Sequence, residues 1–126
     1  MECKMSMSSY ERKNFSESTE IRKTQHGQVE LMNIRGGTVG RYVLQPGWKW
    51  SNEVKPVVKT EWCEAPHFQY QISGTYRVKM KDGTEFDIQP GDVAYVSPEH
   101  DAWVVGDKPA VGIEWIGARI ATTPKE

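Results

Sequence analysis

From Val29 onward the chain alternates short runs of β-branched and aromatic residues with breaks bearing Gly or Pro. The runs are VELMNI, TVGRYVLQ, TEWCEA, HFQYQIS, TYRVKM, TEFDI, DVAYVS, AWVVG and AVGIEWIG. Many short strands with frequent turn residues predict an all-β sandwich or barrel. After residue 28 no segment keeps helical periodicity over three turns, so helix is expected to be minor. Residues 1 to 27 are rich in Ser, Lys, Glu and Arg and poor in large apolar groups. They read as a flexible polar arm, followed by one domain over 28–120 and a tail over 121–126.

One hairpin can be read to its register. Taking KDG, residues 81–83, as a three-residue loop with Gly83 left-handed opposes Lys79 to Glu85, Val78 to Phe86, Arg77 to Asp87 and Tyr76 to Ile88. Apolar groups then share one face and charges the other. A two-residue loop would mix them, so the bulged turn is preferred. PGD at 90–92 and GDKP at 106–109 supply the next turns.

The strand HFQYQIS breaks the expected alternation. His67, Gln69 and Gln71 lie two apart and share a face, and that face is polar throughout. If it points inward, its amides and imidazole need partners, because a buried polar group without one costs a few kcal/mol.

A length of 126 residues suits one domain with a real core. The net charge of −1, with signs mixed along the chain, gives no basic footprint for nucleic acid or an anionic membrane surface. The first residues, MECKMSMSSYERK, hold no apolar run, and two cysteines, Cys3 and Cys63, make no disulfide framework. A cytoplasmic protein is therefore expected.

Three segments carry a resemblance to the cupin superfamily, small double-stranded β-helix barrels of jelly-roll type. Counting back from Gly74 along the family's H-x-H-x3-E-x6-G segment puts Glu61 and Cys63 at its two His positions and His67 at its Glu. PGDVAYVSPEH resembles the second segment and ends on its histidine, His100. PGWKWS at 46–51, Cys63-x3-His67 and HDAWVVGD at 100–107 are similar to a loosely characterised subgroup of single-domain cupins. The resemblance spans roughly residues 40–117 and implies the barrel fold. The family's usual three-His, one-Glu metal set is not reproduced.

What the resemblance implies at these positions is a metal site of Cys63, His67 and His100. One thiolate and two imidazoles suit zinc, iron, nickel or copper, and suit magnesium or calcium poorly. Each residue also has a plainer reading, Cys63 as a small buried hydrophobe and the histidines as hydrogen-bonded core or surface groups. Glu61 is a candidate further ligand or catalytic base, or an exposed residue at a strand edge. Gln69 and Gln71 are candidate substrate-binding residues, joined by Tyr95 and Trp50, for which packing is the competing role. His26, in the arm, is expected to be a bystander.

Two functions stay open. One is a divalent-metal-dependent enzyme acting on a small oxygenated organic compound, of dioxygenase, isomerase or lyase type. The other is a non-catalytic ligand-binding or sensory cupin with a metal-free polar pocket. A homodimer is expected in either case, since open sheet edges need cover.

Overall fold

The computed structural model describes residues 9–116. Two antiparallel sheets enclose one core. The strands are β1 (Glu20–Lys23), β2 (Gly27–Ile34), β3 (Gly37–Leu44), β4 (His67–Ser73), β5 (Thr75–Met80), β6 (Glu85–Ile88), β7 (Val93–Val96), β8 (His100–Val105) and β9 (Ala110–Ile116). Six of them form one sheet in the order β1-β2-β3-β9-β4-β7, and three form the other in the order β6-β5-β8. Two one-turn helices, α1 (Trp50–Glu53) and α2 (Lys55–Val58), lie between β3 and β4. None of the described helices is long and apolar enough to cross a membrane.

The β5–β6 hairpin has the register its charges dictate, with Lys79 opposite Glu85 and Tyr76 opposite Ile88. Gly83 is left-handed at φ +96°, and Arg77 grips Asp87 through two hydrogen bonds. Tyr76, Val78 and Ile88 point inward and meet Tyr42, Leu44, Val96, Ala102 and Ala110 from the surrounding strands. Burial of these side chains, each worth about 1.5–3 kcal/mol for the larger ones, holds the sheets together.

Gly74 is the point where the chain leaves one sheet for the other. Its φ of +71° and the closeness of the Pro109 carbonyl, 1.9 Å from where a Cβ would sit, admit no side chain.

Two readings of the sequence change. Residues 20–27 were assigned to the arm, yet β1 pairs with β2 from Glu20↔Leu31 to Lys23↔Gln28, so the sheet begins ahead of residue 28. TEWCEA is not a strand. It is a loop whose one ladder contact is the bridge between Cys63 and His100, and Pro66, without an N–H, limits any extension toward β4. The tail at 121–126 lies outside the described residues.

Candidate metal centre

The pairing of β3, β9 and β4 sets two rows of residues across the inner face of the larger sheet. In one, Tyr42 lies opposite Gly112 and Gly112 opposite Gln71; in the next, Gly40 lies opposite Glu114 and Glu114 opposite Gln69. A Cβ on Gly112 would stand 2.1 Å from the Tyr42 hydroxyl, so glycine there is what lets the phenol reach across. The Tyr42 O–H donates to Gln71 Oε1 at 2.6 Å. Gln71 Nε2 donates to the carbonyls of Ser73 and Gly74, both at 3.0 Å. Gln69 Nε2 donates to the hydroxyls of Tyr42 and Tyr76. Gln69 Oε1 is the buried side-chain acceptor left without a hydrogen-bond partner among the described residues.

At the end of this network Cys63, His67 and His100 converge. Each offers one ligand atom, and the three atoms lie within 4.8 Å of one another. His67 is brought by the first residue of β4 and His100 by the first of β8, while the Cys63–His100 bridge fixes the loop. Cys63 N donates to His100 O at 2.8 Å. Cys63 Sγ is 3.8 Å from His67 Nε2, and the two imidazole centroids are 5.0 Å apart.

The outer nitrogens of both rings are occupied. His100 Nδ1–H donates to the Ser97 carbonyl at 2.8 Å, and His67 Nδ1–H donates to Glu114 Oε2. Each ring's Nε2 is thereby left as the nitrogen available to a ligand. Metal-bound histidines are oriented in this way, by a carboxylate or carbonyl on the far nitrogen.

The donor set fits a divalent transition ion. Tetrahedral zinc with bonds of about 2.3 Å to sulfur and 2.0–2.1 Å to nitrogen spaces its ligands roughly 3.5 Å apart, close to the observed 3.8 Å. Cys63 and Glu114 together can carry the two negative charges that a divalent ion would balance.

Without an ion, the cluster balances its own charges. Burial would raise the Cys63 thiol, but hydrogen bonds with His100 and His67 and the His67 charge outweigh it and bring the group down to about 6. Burial would lower His67, but the charge of Glu114, reinforced by Cys63, raises it to about 10. Thiolate, imidazolium and carboxylate thus form a chain of alternating sign. Burial, the largest influence on Tyr42 and Tyr76, raises both hydroxyls, which stay neutral donors.

The other sequence candidates are placed as follows. Glu61 is exposed, lies outside the cluster, and lines a surface groove of about 490 Å³ with Ser51, Lys55, Pro56, Lys59 and Thr60. The carboxylate beside the cluster is instead that of Glu114, which holds the far nitrogen of His67 and which the sequence reading missed. The signal was the run Ala110, Gly112, Glu114, an inward row of small residues ending in an acid. Gln71 spends its amide on the protein itself, so it is a structural residue rather than a ligand contact. Tyr95 pairs with Phe68 in the β4–β7 ladder and is 60% exposed, so it faces away from His67 and Gln69. Trp50 is buried at the start of α1, where packing is its role. Asp101 Oδ1 accepts from Ser51 N and Ala102 N, tying α1 to β8. His26 lies outside the cluster, and its ring and its backbone N–H both bond Glu53.

No family model matches the sequence, and no curated protein matches it. Solved structures do. Oxalate decarboxylase of Lactobacillus farciminis, in its formate complex, aligns with a TM-score of 0.62 at 18% identity over 88% of this chain. A cupin-like protein from Thermotoga maritima aligns at 0.56 with 14% identity, covering 90% of this chain and 87% of its own. The polyketide cyclase RemF of Streptomyces resistomycificus aligns at 0.56 with 11% identity, over 83% and 78%. This chain spans about a third of the oxalate decarboxylase, 33% of its length. The fold is that of the cupins.

Proposed function

We propose that this protein is a metal-dependent cupin enzyme in which Cys63, His67 and His100 hold one divalent transition ion beside a site for a small oxygenated organic compound. The observation that carries the reading is the convergence of three ligand atoms within 4.8 Å while both histidines have their Nδ1 engaged by Ser97 O and Glu114. When bound, such an ion supplies Lewis-acid polarisation of a substrate oxygen. The protein's part is to present the ligands and orient the substrate. Side-chain exposure of 24% at His67 leaves an approach for a small molecule. Gln69, its amide nitrogen held by two tyrosines, keeps a buried Oε1 without a partner, an acceptor that the O–H or N–H of a substrate reaching the barrel interior would satisfy. Oxalate decarboxylase and RemF are enzymes on this fold, which supports a catalytic role by analogy. The protein acts in the cytoplasm in this reading.

A second reading is favoured by the internal balance of thiolate, imidazolium and carboxylate, which is satisfied without an ion. It makes the protein a ligand-binding cupin with a metal-free polar pocket. Elemental analysis of tag-free protein separates the two. The enzyme reading expects about one equivalent of zinc, iron, nickel or copper, lost in both Cys63→Ala and His67→Ala. Metal-free protein that does not take up any of these ions on titration would sink it.

A further inference from the structure

Two side chains stand in line behind the Cys63 sulfur. His67 turns Nε2 toward Sγ at 3.8 Å, and its far nitrogen donates to Glu114. Sulfur, imidazole and carboxylate in that order are a nucleophile, its proton partner and the group that orients the partner. The backbone N–H of Ala65 also donates to the sulfur.

The sulfur is both held and reachable. Cys63 N donates to His100 O at 2.8 Å, and Glu99 N donates to Cys63 O at 2.7 Å. Glu99 makes that bond from a left-handed backbone, φ +74°, a conformation that costs a residue with a Cβ about 1–3 kcal/mol and persists only where the surroundings impose it. On the open side Cys63 is half-buried, and its neighbours Glu64 and Ala65 are exposed. Inward, Gln69 follows His67 on the same face, lies opposite Glu114 in the ladder, and keeps a buried Oε1 without a partner. Such an acceptor calls for a ligand that carries an O–H.

We propose that, free of an ion, Cys63 is the nucleophile of a site that reduces small hydroperoxides, with His67 as its proton donor and Glu114 as the residue that positions His67. Three features select the substrate class. A half-buried sulfur admits a small electrophile, and Gln69 Oε1 suits the O–H of a hydroperoxide. In an O–O bond the atom attacked and the atom that leaves are neighbours, so the proton donor must stand close to the sulfur, as Nε2 does.

In the step itself, a lone pair of the Cys63 thiolate attacks the oxygen that bears hydrogen. The S–O bond forms as the O–O bond breaks, so sulfur is oxidised to a sulfenic acid and the peroxide is reduced. The departing oxygen keeps the electron pair of the broken bond, takes the proton from His67 Nε2, and leaves as water or an alcohol. A small external thiol restores the site: one molecule condenses with the sulfenic acid and releases water, and a second displaces Cys63 from the mixed disulfide. An ion on Sγ would occupy the attacking lone pair. The reaction therefore belongs to the ion-free protein and stands whether or not the cluster also takes a metal.

The test uses the full chain carrying Cys3→Ser, so that Cys63 is its one thiol. The protein is stripped with a chelator and mixed with hydrogen peroxide and dimedone, and peptide mass spectrometry reads the adduct at Cys63. The expected adduct forms roughly 100-fold faster than on free cysteine at the same pH, and His67→Gln removes about that factor, the scale of a positioned proton donor. Iodoacetamide, whose iodide leaves without a proton, should be slowed far less by the same change. Circular dichroism confirms that the variant is folded; if it is not, Glu114→Gln carries the comparison, slowing the peroxide reaction more than the alkylation. A Cys63 that oxidises no faster than free cysteine overturns the proposal. Equal slowing of both reagents overturns it as well, because His67 would then only shape the site.

Discussion

Glu114 accepts a hydrogen bond from Nδ1–H of His67 across the join between β9 and β4, so an interior strand of the sheet orients a ring carried by a residue 47 positions earlier. The contact does two things. It fixes which nitrogen of His67 faces Cys63, and it places a carboxylate beside the cluster that is not itself a ligand. Removing the charge while keeping the shape isolates this role. Glu114→Gln is expected to weaken zinc or iron(II) binding by about 10–100-fold, whereas Glu61→Gln leaves it unchanged. Competition with a chromophoric chelator measures both, and equal effects would reverse the assignment.

Affinity for the ion should depend on pH in a particular way. His67, raised to about 10, carries a proton through the neutral range and must release it to bind metal. Apparent affinity is therefore expected to rise about tenfold per pH unit between 7 and 9 and to level off above 10. Below about 6 the Cys63 thiolate is protonated too, a second proton for the ion to displace, and the dependence steepens. Chelator competition from pH 5.5 to 9 reads the slope; a flat profile above 7 would mean that His67 is already neutral.

Tyr42 is the hub of the buried amide network, donating to Gln71 and accepting from Gln69. Tyr42→Phe keeps the ring and leaves both amides short of a partner. The expected cost is about 1–3 kcal/mol of folding stability, the penalty for unsatisfied buried polar groups. Urea denaturation with an unchanged m-value would register it. A neutral result would show that the amides find other partners.

Glu53 fastens the loop before β2 to α1 by accepting from Thr24 Oγ1, His26 N and His26 Nδ1. Glu53→Ala is expected to cost about 1–3 kcal/mol and to raise hydrogen exchange at the amide of His26. The metal content of the protein should not change. Exchange that stays slow at His26 would argue against the tie.

The hairpin of β5 and β6 was legible to its last pair because its evidence is local. Arg77 against Asp87 and Lys79 against Glu85 are set by a three-residue turn and by segregation of charge from apolar groups, all within a dozen residues. The fold class followed in the same way from the spacing of turns, and the polar row His67, Gln69, Gln71 from strand periodicity. Tyr95 was misjudged because alternation in DVAYVS says that Val93 and Tyr95 share a face, not which face is inside. The pairing of His67 with Val96 decides that, and it puts Tyr95 outside.

By itself, then, the sequence determined most of the strands after residue 28 and their turns, which rest on short-range geometry, and a motif pointed to Cys63, His67 and His100; it missed β1 and misread TEWCEA as a strand. Only the tertiary structure decided that Glu114 rather than Glu61 serves His67, that Gln71 is consumed by Tyr42 and two backbone carbonyls, and that the aromatic side of β4 faces outward. The reason is physical. Each of these depends on which strand lies next to which, and the insertion of β9 between β3 and β4 is fixed by the packing of the whole core, on which no short stretch of residues bears alone.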